Sequence, residues 1–403
     1  MRPLSERSLL LLLAMVQFTH IMDFMIMMPL GPQLMRELHL GPGHFSALVA
    51  AYTISSGVVG LMAAPFIDRF DRRQLLLFAY AGFGAGTLAC ALSQNTATLF
   101  TARALSGAFG GLSTSMVMSI VGDVVPAERR AAGVGIVMTA FSAAAAAGVP
   151  FGLQLAQHFH WEAPFFMLAG IAGVVWTMAY LRLPSVRGHL QNGGANRAFA
   201  ELLRDANAGR ALSFMVAMVC GHFVIVPLLS PYLVANVGLP ERDLFLVYFT
   251  GGVLTVFTAP LIGRLADRLG RFRVFTSLVA VASVVTLVIT HSGRLPLWAV
   301  LVLGGSFFVF ASGRFVPGQT IMTLAVPASR RGAFMSLSGC ARDLAMGVTS
   351  GIGGWIAVAA GLVSVWLASR VRVNESDALA LSPSSHPTTT STLSLNSQLS
   401  IEN

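Results

Sequence analysis

Seven ionisable side chains interrupt runs that are otherwise apolar, and any chemistry would reside there. They are His20 and Asp23 in LLLLLAMVQFTHIMDFMIMM, Arg103 in TARALSGAFGG, His222 in VCGHFVIV, Arg314 in ASGRFVPGQ, and the adjacent Arg342 and Asp343 in SGCARDLAM. A charge inside hydrocarbon costs ~2.5–3.5 kcal/mol on insertion scales, so each is a functional candidate by default. A carboxylate shielded from water near a cation can take up and release a proton in the working range, and that is the chemistry expected of Asp23. The alternative for Asp23 is an interfacial carboxylate near the end of its helix. His20 lies one turn before Asp23 on the same helical face, either as a second titrating group or as a hydrogen-bonding wall residue. Arg103 lies four or five residues from the end of its run and either snorkels to the near interface or is held inside as a functional group. His222 is a helix–helix contact or a cavity residue. Arg314, Arg342 and Asp343 are cavity candidates in the second half, with a structural ion pair as the alternative. Adjacent residues on a helix diverge, so Arg342 and Asp343 are expected to find separate partners.

Other chemistries lack their signatures. There is no HExxH and no GxxxxGK[ST]. Cys90, Cys220 and Cys340 all lie within apolar segments, at spacings that form no metal or redox motif. No enzyme, metal site or cofactor is expected.

Positioning these residues falls to membrane helices. The 403 residues are 55% hydrophobic and only 11% charged, with a mean hydropathy of +0.72. A soluble domain carries about 25% charged residues. A soluble core cannot absorb this much apolar surface, so the bilayer is the solvent, and lipid leaves helices as the means of satisfying the backbone. Apolar runs long enough to cross lie near 9–30, 45–67, 74–92, 97–121, 131–156, 163–181, 211–237, 244–263, 274–290, 295–326 and 332–351. A twelfth, near 355–369, is short. The first run follows Arg2 and Arg7 as a signal peptide would, but it is of spanning length with no small-residue cleavage site, so it reads as a retained first span.

All 26 basic side chains are Arg. With the N-terminus inside, 20 of them fall on cytoplasmic segments, against Arg36, Arg242 and Arg294 outside. That asymmetry puts both termini in the cytoplasm of a bacterial-type inner membrane. The net charge of +9 does not imply nucleic acid, because the Arg residues sit in short turns rather than in one patch.

The chain also repeats. DRFDRR at 68–73 follows the second run and DRLGRFR at 267–273 the eighth, with Asp68 and Asp267 199 residues apart. PAERR at 126–130 and PASRR at 327–331 recur 201 residues apart, after the fourth and tenth runs. The expected organisation is a six-helix bundle over 1–181, a cytoplasmic linker over 182–210, a second bundle over 211–372 with a very short last hairpin, and a disordered Ser/Thr/Pro-rich tail over 373–403. The fold class is thus all-α and polytopic, twelve transmembrane helices in two six-helix pseudo-repeats around a central cavity.

These motifs resemble those of the major facilitator superfamily. GRLADRLGR at 263–271 is similar to its motif A in the second-half copy, through Gly263, Asp267, Arg268, Gly270 and Arg271. AAPFIDRFDRR at 63–73 keeps Asp68, Arg69 and Arg72 of the first copy but has Ala64 and Asp71 in the usual glycine places. RALSGAFGG at 103–111 resembles motif B. GVPFG at 148–152, followed by Trp161, resembles the fifth span of proton-coupled efflux permeases, including the arabinose-efflux-permease and drug:proton antiporter group. The likeness covers about residues 9–371. It implies that Asp68 caps a helix of the other half near Gly332 as part of the gate, favoured by the helix dipole by ~0.3–1 kcal/mol. It implies that Arg103 tunes a carboxylate, and that Gly148, Pro150 and Gly152 bend a helix that seals the cavity, an ordinary packing kink being the other reading.

The expectation is therefore a monomeric, proton-driven exporter of small amphipathic molecules; Met22, Met25, Met27 and Met28 would suit an adaptable cavity lining, while for any one of them plain apolar core is the stronger reading. A proton-coupled importer of a sugar or metabolite is the alternative within transport, and a non-transporting membrane sensor the alternative outside it. Depth arithmetic singles out one pair. Asp23 lies about 22 Å and Arg103 about 24 Å from the inner boundary at 1.5 Å per residue across a core about 30 Å thick.

Overall fold

The structure is a computed structural model and describes residues 5–67, 69–126, 129–186, 202, 204–327 and 331–352. Asp68, most of the 182–210 connection, the short twelfth segment and the 373–403 tail lie outside the described residues. Among the described residues every regular element is helical. Ten helices are long and apolar enough to cross a membrane by length and composition. An eleventh, Arg331–Ile352, is of similar length but more polar, because it carries Arg342 and Asp343.

The first three spans are Glu6–Ile26, Pro42–Ile67 and Arg72–Ala91, and the fourth is Thr96–Val124. The fifth runs from Arg130 to His158 and the sixth is Ala163–Arg182. The seventh is Ala206–Ala235. The eighth is Leu244–Leu269, the ninth Arg271–His291, and the tenth runs from Leu297 to Leu324. Their ends follow from local chemistry. Ser5 Oγ accepts from the Ser8 N–H at 3.3 Å. Asn95 and Thr98 form a reciprocal capping box at the start of the fourth span, and Asp205 caps the seventh by accepting from the Asn207 N–H at 2.8 Å. Gly270, at φ +94°, makes the tight joint between the eighth and ninth spans, in a backbone region that favours glycine.

Four spans are broken. The first ends at Ile26 and resumes as a short helix, Gly31–Glu37, beyond Pro29. The seventh breaks after Phe223 and restarts at Val226 with Pro227 in its first turn. The fifth and tenth each contain a π-helical turn, Ala144–Gly148 before Pro150 and Phe308–Ser312 before Gly313 and Arg314. Proline withholds a backbone donor and a π turn adds a residue, so both change the direction of the side chains that follow.

Call the end that carries the Arg-rich turns the basic face. Toward the opposite face, one apolar cluster unites both halves, from Met22, Ile26, Phe45 and Val149 to Leu229, Val247, Ile289 and Phe307. Toward the basic face the core divides. Leu13, Tyr80, Val117 and Val175 belong to a first-half cluster, and Phe214, Phe275, Ile321 and Phe334 to a second-half one. Phe24 packs against all three. Small residues allow the halves to meet. A Cβ at Gly57 would lie 2.9 Å from the backbone nitrogen of Leu344 in the eleventh span, and one at Gly252 would lie 2.6 Å from the carbonyl oxygen of Ala145 in the fifth.

Candidate functional site

Four spans of the first half converge on Asp23 and Arg103. Arg103 Nη1 donates to Asp23 Oδ2 at 2.7 Å, and both side chains are wholly buried. The same Nη1 reaches the Asp23 carbonyl oxygen at 3.3 Å. Thr87 Oγ1, from the third span, donates to the second carboxylate oxygen at 3.3 Å. Tyr52, from the second span, offers its ring face to the guanidinium, 4.4 Å from carbon to centroid, a favourable cation–π arrangement. The fit depends on the absence of a side chain one turn after Arg103: a Cβ at Gly107 would lie 2.1 Å from the Tyr52 carbonyl oxygen. The pair is incompletely satisfied, since Arg103 Nε and Nη2 are buried without partners among the described residues. A buried charge with spare donors can exchange one partner for another, whereas a fully bonded one is held in place.

His20 is buried one turn before Asp23, and neither ring nitrogen has a partner among the described residues. Its ring lies 4.0 Å from that of Phe83 and 5.6 Å from that of Tyr80. In the fifth span, a Cβ at Gly148 would lie 2.9 Å from Met22 Sδ and one at Gly152 2.7 Å from Ile26 Cδ1, so GVPFG lies directly on the first span from the last residue of the π turn onward.

The remaining candidates are dispersed. His222 and Arg314 are buried together in the second half. Asp343 accepts from Ser56 Oγ at 2.6 Å, joining the eleventh span to the second. Arg342 Nε also donates to Asp343 Oδ1 at 3.2 Å, in place of the separate partners expected of neighbours on a helix. The long guanidinium arm folds back far enough to offset the divergence of the two Cβ atoms. Of the first-half motif A residues, Asp68 lies outside the described residues, and Arg69 is exposed in the turn. Arg72 Nε pairs with Asp123 Oδ2 at 3.2 Å, tying the third span to the fourth. In the second-half copy Asp267 and Arg271 lie 3.6 Å apart, Gly263 and Arg268 sit on the end of the eighth span, and Gly270 makes the turn.

Several residues go unmarked in the sequence. Asp71, in a place where the motif has glycine, caps the third span by accepting from the Arg73 N–H at 2.9 Å. It also holds the start of the long connection through Ser185 Oγ and, at 3.2 Å, the Val186 N–H. At the opposite face Arg36 pairs with Glu241, and Gln157 Nε2 donates to the Glu241 carbonyl oxygen at 3.1 Å, joining the two halves. Among the described residues no cluster of His, Cys, Asp and Glu could hold a metal ion.

Spanning helices broken at proline and π turns, arranged around a buried and incompletely bonded ion pair, define a polytopic helical membrane protein of transporter type. The model of the Major Facilitator Superfamily matches residues 13–350, and the chain belongs to that superfamily. It is a membrane transporter of small molecules, not an enzyme. It is 28% identical over 379 residues to the uncharacterized MFS-type transporter YwfA of Bacillus subtilis (strain 168), covering 89% of this chain and 88% of that one. It is also 28% identical over 148 residues to a gallate transporter of Pseudomonas putida, 37% of this chain and 32% of the relative. A crystal structure of a D-xylose-proton symporter superposes with a TM-score of 0.71 at 15% identity, covering 92% of this chain and 98% of that one, a likeness of fold.

Proposed function

We propose that the chain is a proton-coupled exporter of small amphipathic molecules, similar to the drug:proton antiporter and arabinose efflux permease group, working by alternating access. The observation that carries this reading is the wholly buried Asp23–Arg103 contact at 2.7 Å. In the cycle, protonation of Asp23 removes the charge that holds Arg103, whose spare donors then seek another acceptor. The first span thereby loses its tie to the fourth, and the halves rearrange. His20 stands beside this pair as a wall residue. Gly148, Pro150 and Gly152 form the bend that closes against the first span, and the motif A residues on the basic face restrain the opposite movement. The two six-helix halves move as bodies about the 182–210 linker.

Orientation follows from the Arg distribution, which puts the basic face and both termini in the cytoplasm. The shared core at the opposite face, together with Arg36–Glu241, then closes the periplasmic side. The working unit is a monomer in a bacterial-type inner membrane, with the proton gradient as its energy source and no cofactor. Import is the second reading, favoured by a relative named as a vacuolar membrane amino acid uptake transporter of Schizosaccharomyces pombe. Reconstitution into proteoliposomes of known orientation, with a substrate panel and an imposed pH gradient, tests both. Export reads as substrate moving against the proton flow, import as substrate moving with it. Absence of any substrate-dependent proton movement across the panel refutes the coupling.

A further inference from the structure

Among the described residues, the second half contains a buried cation with no counter-ion. Arg314 is 4% exposed. Its Nε has no hydrogen-bond partner, and among the described residues no carboxylate pairs with it. His222 of the seventh span is also buried, with Nδ1 unpartnered, and its ring lies 5.2 Å from that of Phe315, next in the chain to Arg314. Arg314 follows the π turn Phe308–Ser312, so the inserted residue aims it off the face set by the first part of its span. The surroundings are aromatic. The His222 ring is parallel to that of Phe307 at 6.0 Å and meets Phe223 and Phe315 edge-on at 5.1 and 5.2 Å. Phe223 in turn touches Phe24 of the first span at 5.8 Å, next in the chain to Asp23.

A buried, unpaired guanidinium is costly to keep, and a fold retains one at little benefit unless something negative visits it. Its planar fork matches a carboxylate in two-point geometry, and the rings around it suit an apolar or aromatic body. We infer that Arg314 and His222 form a subsite for the carboxylate of a small aromatic or apolar organic acid, whose body lies among Phe223, Phe307 and Phe315 at the joint between the halves. The inference rests on the transport reading above and names its substrate class.

The full chain is purified in detergent, and its thermal midpoint is followed with benzoate, phenylacetate and octanoate, each against its neutral amide. At least one acid is expected to raise the midpoint by several degrees while its amide does not. Arg314→Gln is expected to weaken that acid at least tenfold with an unchanged or higher ligand-free midpoint, and Arg314→Lys to weaken it less. Equal effects of acids and amides on the wild-type chain overturn the subsite, and this arm needs no variant to fold. Undiminished acid binding by Arg314→Gln overturns it as well. Proton flux in proteoliposomes separates the two claims. Acid binding that needs Arg314 but moves no protons leaves the subsite standing and removes the coupling. Proton-coupled transport of a neutral compound that is indifferent to Arg314→Gln does the reverse.

Discussion

Replacing Asp23 with Asn tests the ion pair with the least change of shape. Asn keeps the volume and an acceptor oxygen for Arg103 Nη1, which lies 2.7 Å from Asp23 Oδ2, but it removes the charge and the ability to exchange a proton. Truncating one partner of a buried ion pair costs about 3–5 kcal/mol. A hydrogen bond to a charged group is worth about 1.5–3 kcal/mol, and Asn retains part of it. The net loss in the state with the pair closed is therefore about 2 kcal/mol, or roughly 30-fold in the equilibrium between closed and released arrangements. The burden falls on Arg103, whose Nε and Nη2 already lack partners.

Two transport assays separate the consequences. Uphill transport driven by a pH gradient requires a proton to be bound and released in each cycle, and Asp23→Asn is expected to abolish it. Exchange of labelled for unlabelled substrate requires only that the loaded protein alternates, so it should persist. Arg103→Gln with Asp23→Asn removes both charges and should recover stability relative to Asp23→Asn alone, while uphill transport stays lost. Normal accumulation against a gradient by Asp23→Asn would refute the reasoning, because no other carboxylate among the described residues pairs with Arg103.

Further outcomes follow from other features of the molecule. Cysteines introduced at 95 and 293 should react with a membrane-impermeant reagent in intact cells and one at 195 should not; labelling at 195 would reverse the orientation. Gly107→Ala would place a Cβ 2.1 Å from the Tyr52 carbonyl oxygen, so the second and fourth spans must part, and a sharp loss of folded yield and thermal midpoint is expected on size-exclusion and fluorimetry. Asp68→Asn should insert normally yet transport more slowly, and unchanged kinetics would make Asp68 a passive loop residue. Glu241→Gln removes the ion pair with Arg36, whose side chain is 58% exposed. Stability should fall by less than about 1 kcal/mol, and the face opposite the Arg-rich turns should open more often, read as faster labelling of a cysteine placed at 34.

The spans are legible in the sequence because lipid enforces them. Runs such as those around Leu9–Leu13 and Val284–Val288 have no soluble alternative, and their helices need no long-range information to form. The Asp23–Arg103 contact is legible for a related reason: a charge in hydrocarbon is conspicuous, and counting residues from the interfaces puts the two at one depth. Thr87 and Tyr52 complete that site but give no such signal, since hydroxyl-bearing residues are common in spans and only packing aims these two at the pair. Glu241 opens a short 3-10 turn before the eighth span, and its partner Arg36 is 205 positions away, beyond the reach of any spacing rule. Asp71 reads as a departure from a glycine pattern, and its capping of the third span emerges only with the Ser185–Val186 segment in place. The π turn before Arg314 has no sequence mark, and the direction of that guanidinium depends on it.

The repeat gives these sites a common logic. His20 and His222 are 202 residues apart, close to the offsets of the loop motifs, and each is a buried histidine with an unpartnered nitrogen set among aromatic rings. Each also has a buried arginine in the fourth span of its own half, Arg103 and Arg314. The halves differ in the acid. Asp23 answers Arg103 in the first, while the same 202-residue step from Asp23 arrives at Ile225, which carries no charge. The histidines thus stand at repeat-related positions, whereas Arg103 and Arg314 are 211 residues apart and occupy different depths of their spans. Where the protein supplies its own carboxylate, the cation has a partner that only a proton can dismiss. Where it supplies none, the cation is left for a carboxylate from outside. Phe24 and Phe223, each next in the chain to one of these groups and touching across the joint at 5.8 Å, would make the two events felt by one another. A substrate acid seated at Arg314 would press on Phe223, Phe24 is the neighbour of Asp23, and the proposed coupling would require no longer path than that.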